Sequence, residues 1–333
     1  MTAIRVAVLD DWLNVAPKAA DWSALSARTE VVHFQRSFPK GREDDAVTAL
    51  RDFDVILPMR ERSWFTASLL ERLPRLKMLS LTGHKAPHVD FPTCTKNGVV
   101  VSQCGSRTPA YAAELTLALI LAAARKLTVA DAGMRAGRFQ DGVGLGIVLR
   151  GRTLGIMGLG RIGSEVAGFG RALGMRVLAW SQNLTEERAQ DAGARRVDKE
   201  MLLAESDVVT LHLVLSDRTR SVVGETELGR MKPGAILVNT SRGPLVDEAA
   251  LLKAVHQGRI TAALDVYDQE PLPADHPLRA APNTVLSPHL GFSTQEVIGE
   301  FYEGAIANIL AYLDGAPAHV ANPDVLKRSK TEI

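Results

Sequence analysis

Short apolar runs rich in β-branched residues recur along the chain, separated by amphipathic stretches. Arg5 to Leu9, Val31 to Phe34, Val55 to Leu57, Met78 to Leu81 and Val99 to Val101 read as strands. Thr66 to Leu73 places Leu69, Leu70 and Leu73 at helical spacing before Pro74, which predicts a helix between two of them. A second series opens at Thr153 with Leu154 to Met157, Arg176 to Trp180, Val208 to Leu213, Ala235 to Asn239, Ala262 to Val266 and Thr284 to Leu286. Strands alternating with helices call for parallel βαβ units, so the expected class is α/β with doubly wound parallel sheets.

Two helices stand out from this alternation. Thr108 to Lys126 has a Thr-Pro start, helix formers throughout and basic residues at its end, and it is apolar nearly all round. Such a helix must be covered on several sides, which places it between domains or in a subunit interface. Gly133 to Gly146 then reads as a glycine-rich surface loop. After His289 a long amphipathic helix runs roughly from Thr294 to Leu313; with the second series complete, this tail is free to return to the first.

Length and composition narrow the function. A chain of 333 residues is too long for one comfortable core, so two compact units are expected. With 46% hydrophobic and 23% charged residues the chain is globular, and a net charge of +1 offers nothing to a nucleic acid or an anionic membrane surface. The longest apolar stretch, Leu115 to Ala124, is too short to span a bilayer, and the N-terminus reads as a strand rather than a secretion signal. Cys94 and Cys104 have neither metal-ligand spacing nor a companion cluster, so no metal is expected and both read as reduced thiols of a cytoplasmic protein.

The segment Thr153-Leu-Gly-Ile-Met-Gly158-Leu-Gly160-Arg-Ile-Gly163 sets GxGxxG between a strand and a helical pattern. In that context Gly158 allows the tight turn, Gly160 lets backbone approach a pyrophosphate, and Gly163 lets helix pack on strand. A nicotinamide dinucleotide is the implied cofactor. The next strand ends at Ser181, where an NAD-selective site usually offers a carboxylate to the ribose hydroxyls. No arginine occupies Ser181 to Asn183, although Arg188 is near, so the choice between NAD and NADP stays open with a slight lean to NAD.

Three polar clusters then follow, each at a strand end: Asn239-Thr-Ser-Arg242, Asp265-Val-Tyr-Asp-Gln-Glu270 and Ser287-Pro-His289. Strand ends are where parallel sheets bind ligands. Arg242 suits a carboxylate through its guanidinium fork. His289 suits proton transfer to a carbonyl oxygen as hydride arrives, and Glu270 would orient the ring and favour its protonated form. Asp265 lies where it would orient a nicotinamide carboxamide. The set fits interconversion of a small 2-keto acid and its 2-hydroxy acid.

On the residues Gly158 to Gly163, Asn239 to Asp247, Asp265 to Pro271 and Pro288 to Gly291, nearly the whole chain resembles the D-isomer-specific 2-hydroxyacid dehydrogenases. The resemblance implies Arg242, Glu270 and His289 as the catalytic residues, with Arg161, Ile162, Thr240 and Asp265 touching the cofactor. It also implies a Rossmann cofactor domain, residues 105–292, inserted in a flavodoxin-like substrate domain of residues 1–104 and 293–333, and a homodimer formed through the cofactor domain. Where the family usually has Gly-x-Gly holding the substrate carboxylate, this chain has Gly83-His84-Lys85. Arg60 resembles the position that contacts phosphate in phosphoglycerate dehydrogenases, so Arg60, Gly83 and Lys85 are the candidate substrate residues. A dedicated 3-phosphoglycerate dehydrogenase is the rival enzyme, and a dinucleotide-sensing corepressor on the same fold is the rival from another class.

Overall fold

A computed structural model describes residues 3–83, 86–107 and 111–328. The chain forms two compact units: residues 1–109 with 294–333, and residues 110–293.

The first unit is built on a five-stranded parallel sheet of β1 (Ile4–Leu9), β2 (Thr29–His33), β3 (Val55–Pro58), β4 (Met78–Thr82) and β5 (Val100–Cys104), in the order β2-β1-β3-β4-β5. β3 and β4 are buried at every position, as expected of strands covered on both faces. The chain leaves β1 for β2 on one side and crosses back to β3 on the other, so the strand order reverses between β1 and β3. Crevices that bind ligands form at such reversals, beyond the carboxyl ends of the strands. Arg60 lies just past the end of β3. The predicted C-terminal helix is present as Gln295–Leu313, started by Thr294, whose hydroxyl accepts from the Val297 N–H at 3.3 Å. It returns to this sheet, where Ser80 Oγ on β4 donates to the Ala305 carbonyl at 3.0 Å.

The second unit has a seven-stranded parallel sheet: β6 (Thr153–Met157), β7 (Arg176–Trp180), β8 (Arg195–Arg196), β9 (Val208–Leu211), β10 (Ala235–Asn239), β11 (Ile260–Leu264) and β12 (Thr284–Leu286), ordered β12-β11-β10-β9-β6-β7-β8. Side chains alternate across it. Met157, Leu211, Leu237 and Leu264 enter one apolar cluster, while Ile156, Val238 and Ala263 enter the other. The strand order reverses between β6 and β9, and the glycine turn lies at the end of β6.

The apolar helix runs Tyr111–Arg125; its expected start at Thr108 lies outside the described residues. It packs within the second unit against β10, β11 and the Arg161–Ala172 helix. Lys126 breaks it in the left-handed region (φ 54°), and a second helix, Leu127–Arg135, occupies the start of the segment expected to be loop. No helix among the described residues is long and apolar enough to cross a membrane.

Candidate active site

The glycine turn is shaped by what surrounds it. Gly158 sits at φ 102°, and a Cβ there would come within 2.6 Å of the His212 carbonyl oxygen beyond β9. A Cβ on Gly163 would run into the Gly158 carbonyl, whereas Gly160 faces open space. The helix Arg161–Ala172 therefore starts tight against the strand with no side-chain cap on its first N–H groups. Uncapped N–H groups beside an open glycine form a cradle for an anion. Arg161 is exposed at the first helical position and Ile162 is partly buried behind it. Ser181 follows β7, half-buried, with the Gly158 N–H donating to the neighbouring Trp180 carbonyl at 2.8 Å.

Three adjacent strands carry the chemical groups. Past β10, the buried Asn239 accepts from the Ser241 N–H (3.1 Å) and donates to the Arg242 carbonyl (2.8 Å), folding Thr240–Arg242 into a turn. Thr240 Oγ1 lies 2.7 Å from Thr116 Oγ1. Arg242 is partly exposed, and its Nη1 donates to the Ser241 carbonyl at 2.7 Å.

Past β11 and β12, Glu270 and His289 meet: Nδ1 of His289 is 2.5 Å from Oε2 of Glu270. A carboxylate at Nδ1 places the ring proton there, leaving Nε2 for chemistry. The other Glu270 oxygen accepts from the Tyr267 N–H at 3.0 Å. His289 has φ 56°, and its ring meets Phe292 edge-on with centroids 5.6 Å apart.

Asp265, expected at the cofactor, is fully buried and organises the loop that carries His289. Its Oδ1 accepts from Ser287 Oγ (2.5 Å) and the Leu290 N–H (2.7 Å), and its Oδ2 from the Gly291 N–H (2.9 Å). Burial raises its pKa against the pull of these donors.

Tyr267 was not singled out from sequence, yet it ties the three segments together. Its hydroxyl donates to the Ser287 carbonyl at 2.9 Å, its N–H serves Glu270, and its backbone leaves no room for a side chain at Gly243. Burial, with Asp265 and Glu270 adding to it, pushes its phenol up to about 12, so it stays a donor. The clue in the sequence is an aromatic residue with a polar tip set midway between two candidate acids.

In the first unit Arg60 is strained into φ 64°. Its N–H donates to Thr82 Oγ1 at 2.8 Å, and its guanidinium lies 5.5 Å from the Phe301 ring centroid and 3.8 Å from Glu61. Gly83 lies against this guanidinium, with its own N–H donating to the Cys104 carbonyl at 2.5 Å. Lys85 lies outside the described residues. Among the described residues no three His, Cys, Asp or Glu side chains cluster to hold a metal.

Residues 117–291 match the D-isomer specific 2-hydroxyacid dehydrogenase family, NAD binding domain. The chain is 40% identical to a glyoxylate reductase of Aeropyrum pernix over 303 residues, 88% of each chain. It is 39% identical over 254 residues to a D-3-phosphoglycerate dehydrogenase of Archaeoglobus fulgidus, covering 76% of this chain but only 48% of that relative. The solved structure of a phosphoglycerate oxidoreductase from Vibrio cholerae superposes with a TM-score of 0.88 at 37% identity, covering 94% of this chain and 100% of the other.

Proposed function

We propose that this chain, which belongs to the D-isomer-specific 2-hydroxyacid dehydrogenase family, reduces small 2-keto acids of the glyoxylate and hydroxypyruvate kind with Arg242, Glu270 and His289 as its catalytic residues. It is an NAD(P)-dependent oxidoreductase acting on a CH–OH group. The observation that carries the assignment of residues is the 2.5 Å bond between His289 and Glu270 at the ends of adjacent strands.

Gly158, Gly160, Gly163 and the first N–H groups of the Arg161–Ala172 helix fit a pyrophosphate, with Arg161, Ile162, Ser181 and Thr240 as further contacts. When bound, the nicotinamide supplies or accepts the hydride. Arg242 holds the substrate carboxylate and draws electron density from the adjacent carbonyl. Nε2 of His289 gives its proton to the carbonyl oxygen as that oxygen gains charge, and takes it back in the oxidative direction. Glu270 accepts from the Nδ1–H of that ring and fixes its plane. In this reading Asp265 sets the His289 loop.

Arg60 supports a second reading, in which the substrate carries a further anionic group such as a phosphate. Its strained, packed conformation holds a cation beyond the β1–β3 reversal, and Gly83 and Lys85 are the residues assigned with it to the substrate. The chain spans about half the length of that phosphoglycerate dehydrogenase relative, whereas it matches the glyoxylate reductase over most of both. Initial rates with glyoxylate, hydroxypyruvate, phosphohydroxypyruvate and bulkier 2-keto acids separate the two. Broad reduction supports the first reading; turnover confined to the phosphorylated substrate replaces it with the second.

The second unit also exposes apolar side chains between residues 127 and 148, namely Leu127, Val129, Met134, Phe139, Leu145 and Val148. An exposed run of this kind is the mark of an interface, and a second copy of this chain is its occupant in our reading. F139D/L145D should then elute as a monomer where the parent elutes as a dimer; a monomeric parent removes the homodimer. Two buried free thiols, Cys94 and Cys104, support a cytoplasmic location.

A further inference from the structure

The residues Ser181 to Asn183 taken alone leave the choice between NAD and NADP open. The reach of Arg188 changes that. We propose that the chain selects NADP(H) over NAD(H), with the Arg188 guanidinium and the Ser181 hydroxyl receiving the 2′-phosphate; this rests on the dinucleotide reading of the glycine turn.

Ser181 stands at the first position past β7, beside the turn, and it is half-buried. A carboxylate there would accept hydrogen bonds from ribose hydroxyls and repel a phosphate on the same ribose. The serine removes that repulsion and supplies a donor instead. The chain then turns, with the Leu184 N–H donating to the Ser181 carbonyl at 3.1 Å, and enters the short helix Glu186–Asp191. Thr185 caps this helix through the Arg188 N–H at 3.2 Å, which fixes where the Arg188 side chain departs.

From there Arg188 reaches back over the glycine turn. Its Nη2 donates to the Leu159 carbonyl at 3.5 Å, between Gly158 and Gly160. That contact is long and its acceptor is neutral, so it locates the guanidinium without satisfying it. Among the described residues Arg188 forms no ion pair, although the same helix carries acids; Glu186 is engaged by Arg196 at 3.3 Å. An exposed guanidinium beside a phosphate-binding turn, with a hydroxyl at the neighbouring strand end, is a matched receptor for a phosphomonoester. Arg161, exposed at the start of the adjoining helix, adds positive charge.

Equilibrium titration of the whole chain with NADPH, NADH, 2′,5′-ADP and 5′-ADP tests this without turnover. NADPH should bind about tenfold or more tighter than NADH, and 2′,5′-ADP tighter than 5′-ADP by a similar factor, as charge-assisted hydrogen bonds to one phosphate provide. R188Q should collapse both ratios to about twofold or less, and S181D should reverse them. Equal or tighter binding of NADH by the parent overturns the proposal, as does a phosphate preference that survives R188Q. A chain that binds 5′-ADP and NADH but ignores the 2′-phosphate leaves the dehydrogenase reading standing, whereas binding of none of the four removes the dinucleotide reading itself.

Discussion

Replacing Asp265 with Asn separates a scaffold role from a cofactor contact. The carboxylate accepts three hydrogen bonds, from Ser287 Oγ and the N–H groups of Leu290 and Gly291. Asn keeps one oxygen, which retains Ser287 and Leu290. Its amide then faces the Gly291 N–H, leaving a buried donor opposed by another donor. One unsatisfied buried group costs about 1–3 kcal/mol, and the surviving bonds lose their charge. Relief from burying a carboxylate, whose cost shows in the raised pKa of Asp265, offsets part of this. A net loss of about 2 kcal/mol is the middle of the range, or roughly 4–8 °C in the melting temperature of a unit this size. Because His289 sits on the same loop, a displacement of about 1 Å should lower kcat about a hundredfold. Thermal unfolding by circular dichroism and steady-state reduction of glyoxylate measure both effects. A variant that melts with the parent and turns over at its rate would refute the scaffold role.

Three further substitutions probe the same framework. A Cβ on Gly243 would lie 2.5 Å from the Asp268 N and closer still to the Tyr267 carbonyl, so G243A must part the Arg242 and Glu270 segments; kcat should fall about a hundredfold with about 1–3 kcal/mol of stability, and parent-like kinetics would contradict that packing. Y267F removes only the donor to the Ser287 carbonyl and should lower kcat about three- to tenfold while shifting the pH–rate profile; an unmoved profile would leave Tyr267 a packing residue. Asp10 is buried, and burial raises its pKa to about 6 against the hydrogen bond from Ser63 Oγ (2.7 Å) and the charge of Arg62. The folded state therefore holds this proton more tightly than the unfolded chain, so its contribution is present at low pH and is lost as pH rises from about 4 through 6, amounting to a few kcal/mol. D10N should escape that loss, and urea titrations showing parallel pH dependence for parent and variant would refute it.

Much of the architecture was legible because parallel strands covered on both faces are written as unbroken apolar runs. Thr153–Met157 is buried throughout and was read at nearly its full length. The edge strand Arg195–Arg196 was not, since two exposed arginines carry no apolar signal. The Leu127–Arg135 helix was hidden by the basic end of the helix before it; only the left-handed Lys126 shows that the chain turns and resumes. The meeting of Glu270 and His289 was legible from residue type and position past successive strands. The hydrogen bonds that Ser287, Leu290 and Gly291 give to Asp265 were not, because an acid at a strand end reads alike whether its oxygens face a ligand or a neighbouring loop. Arg188 was noted as near from sequence, but its contact with the Leu159 carbonyl was not legible, since it depends on the cap at Thr185.

In the proposed mechanism His289, oriented by Glu270, delivers the proton that accompanies hydride transfer. The most direct test is kcat for H289A with glyoxylate beside the dissociation constant of the dinucleotide. The kcat should fall by about 10²–10⁴ with dinucleotide affinity held within about twofold, since the glycine turn is untouched. Turnover at the parent rate, or a loss of turnover matched by an equal loss of dinucleotide binding, would contradict it.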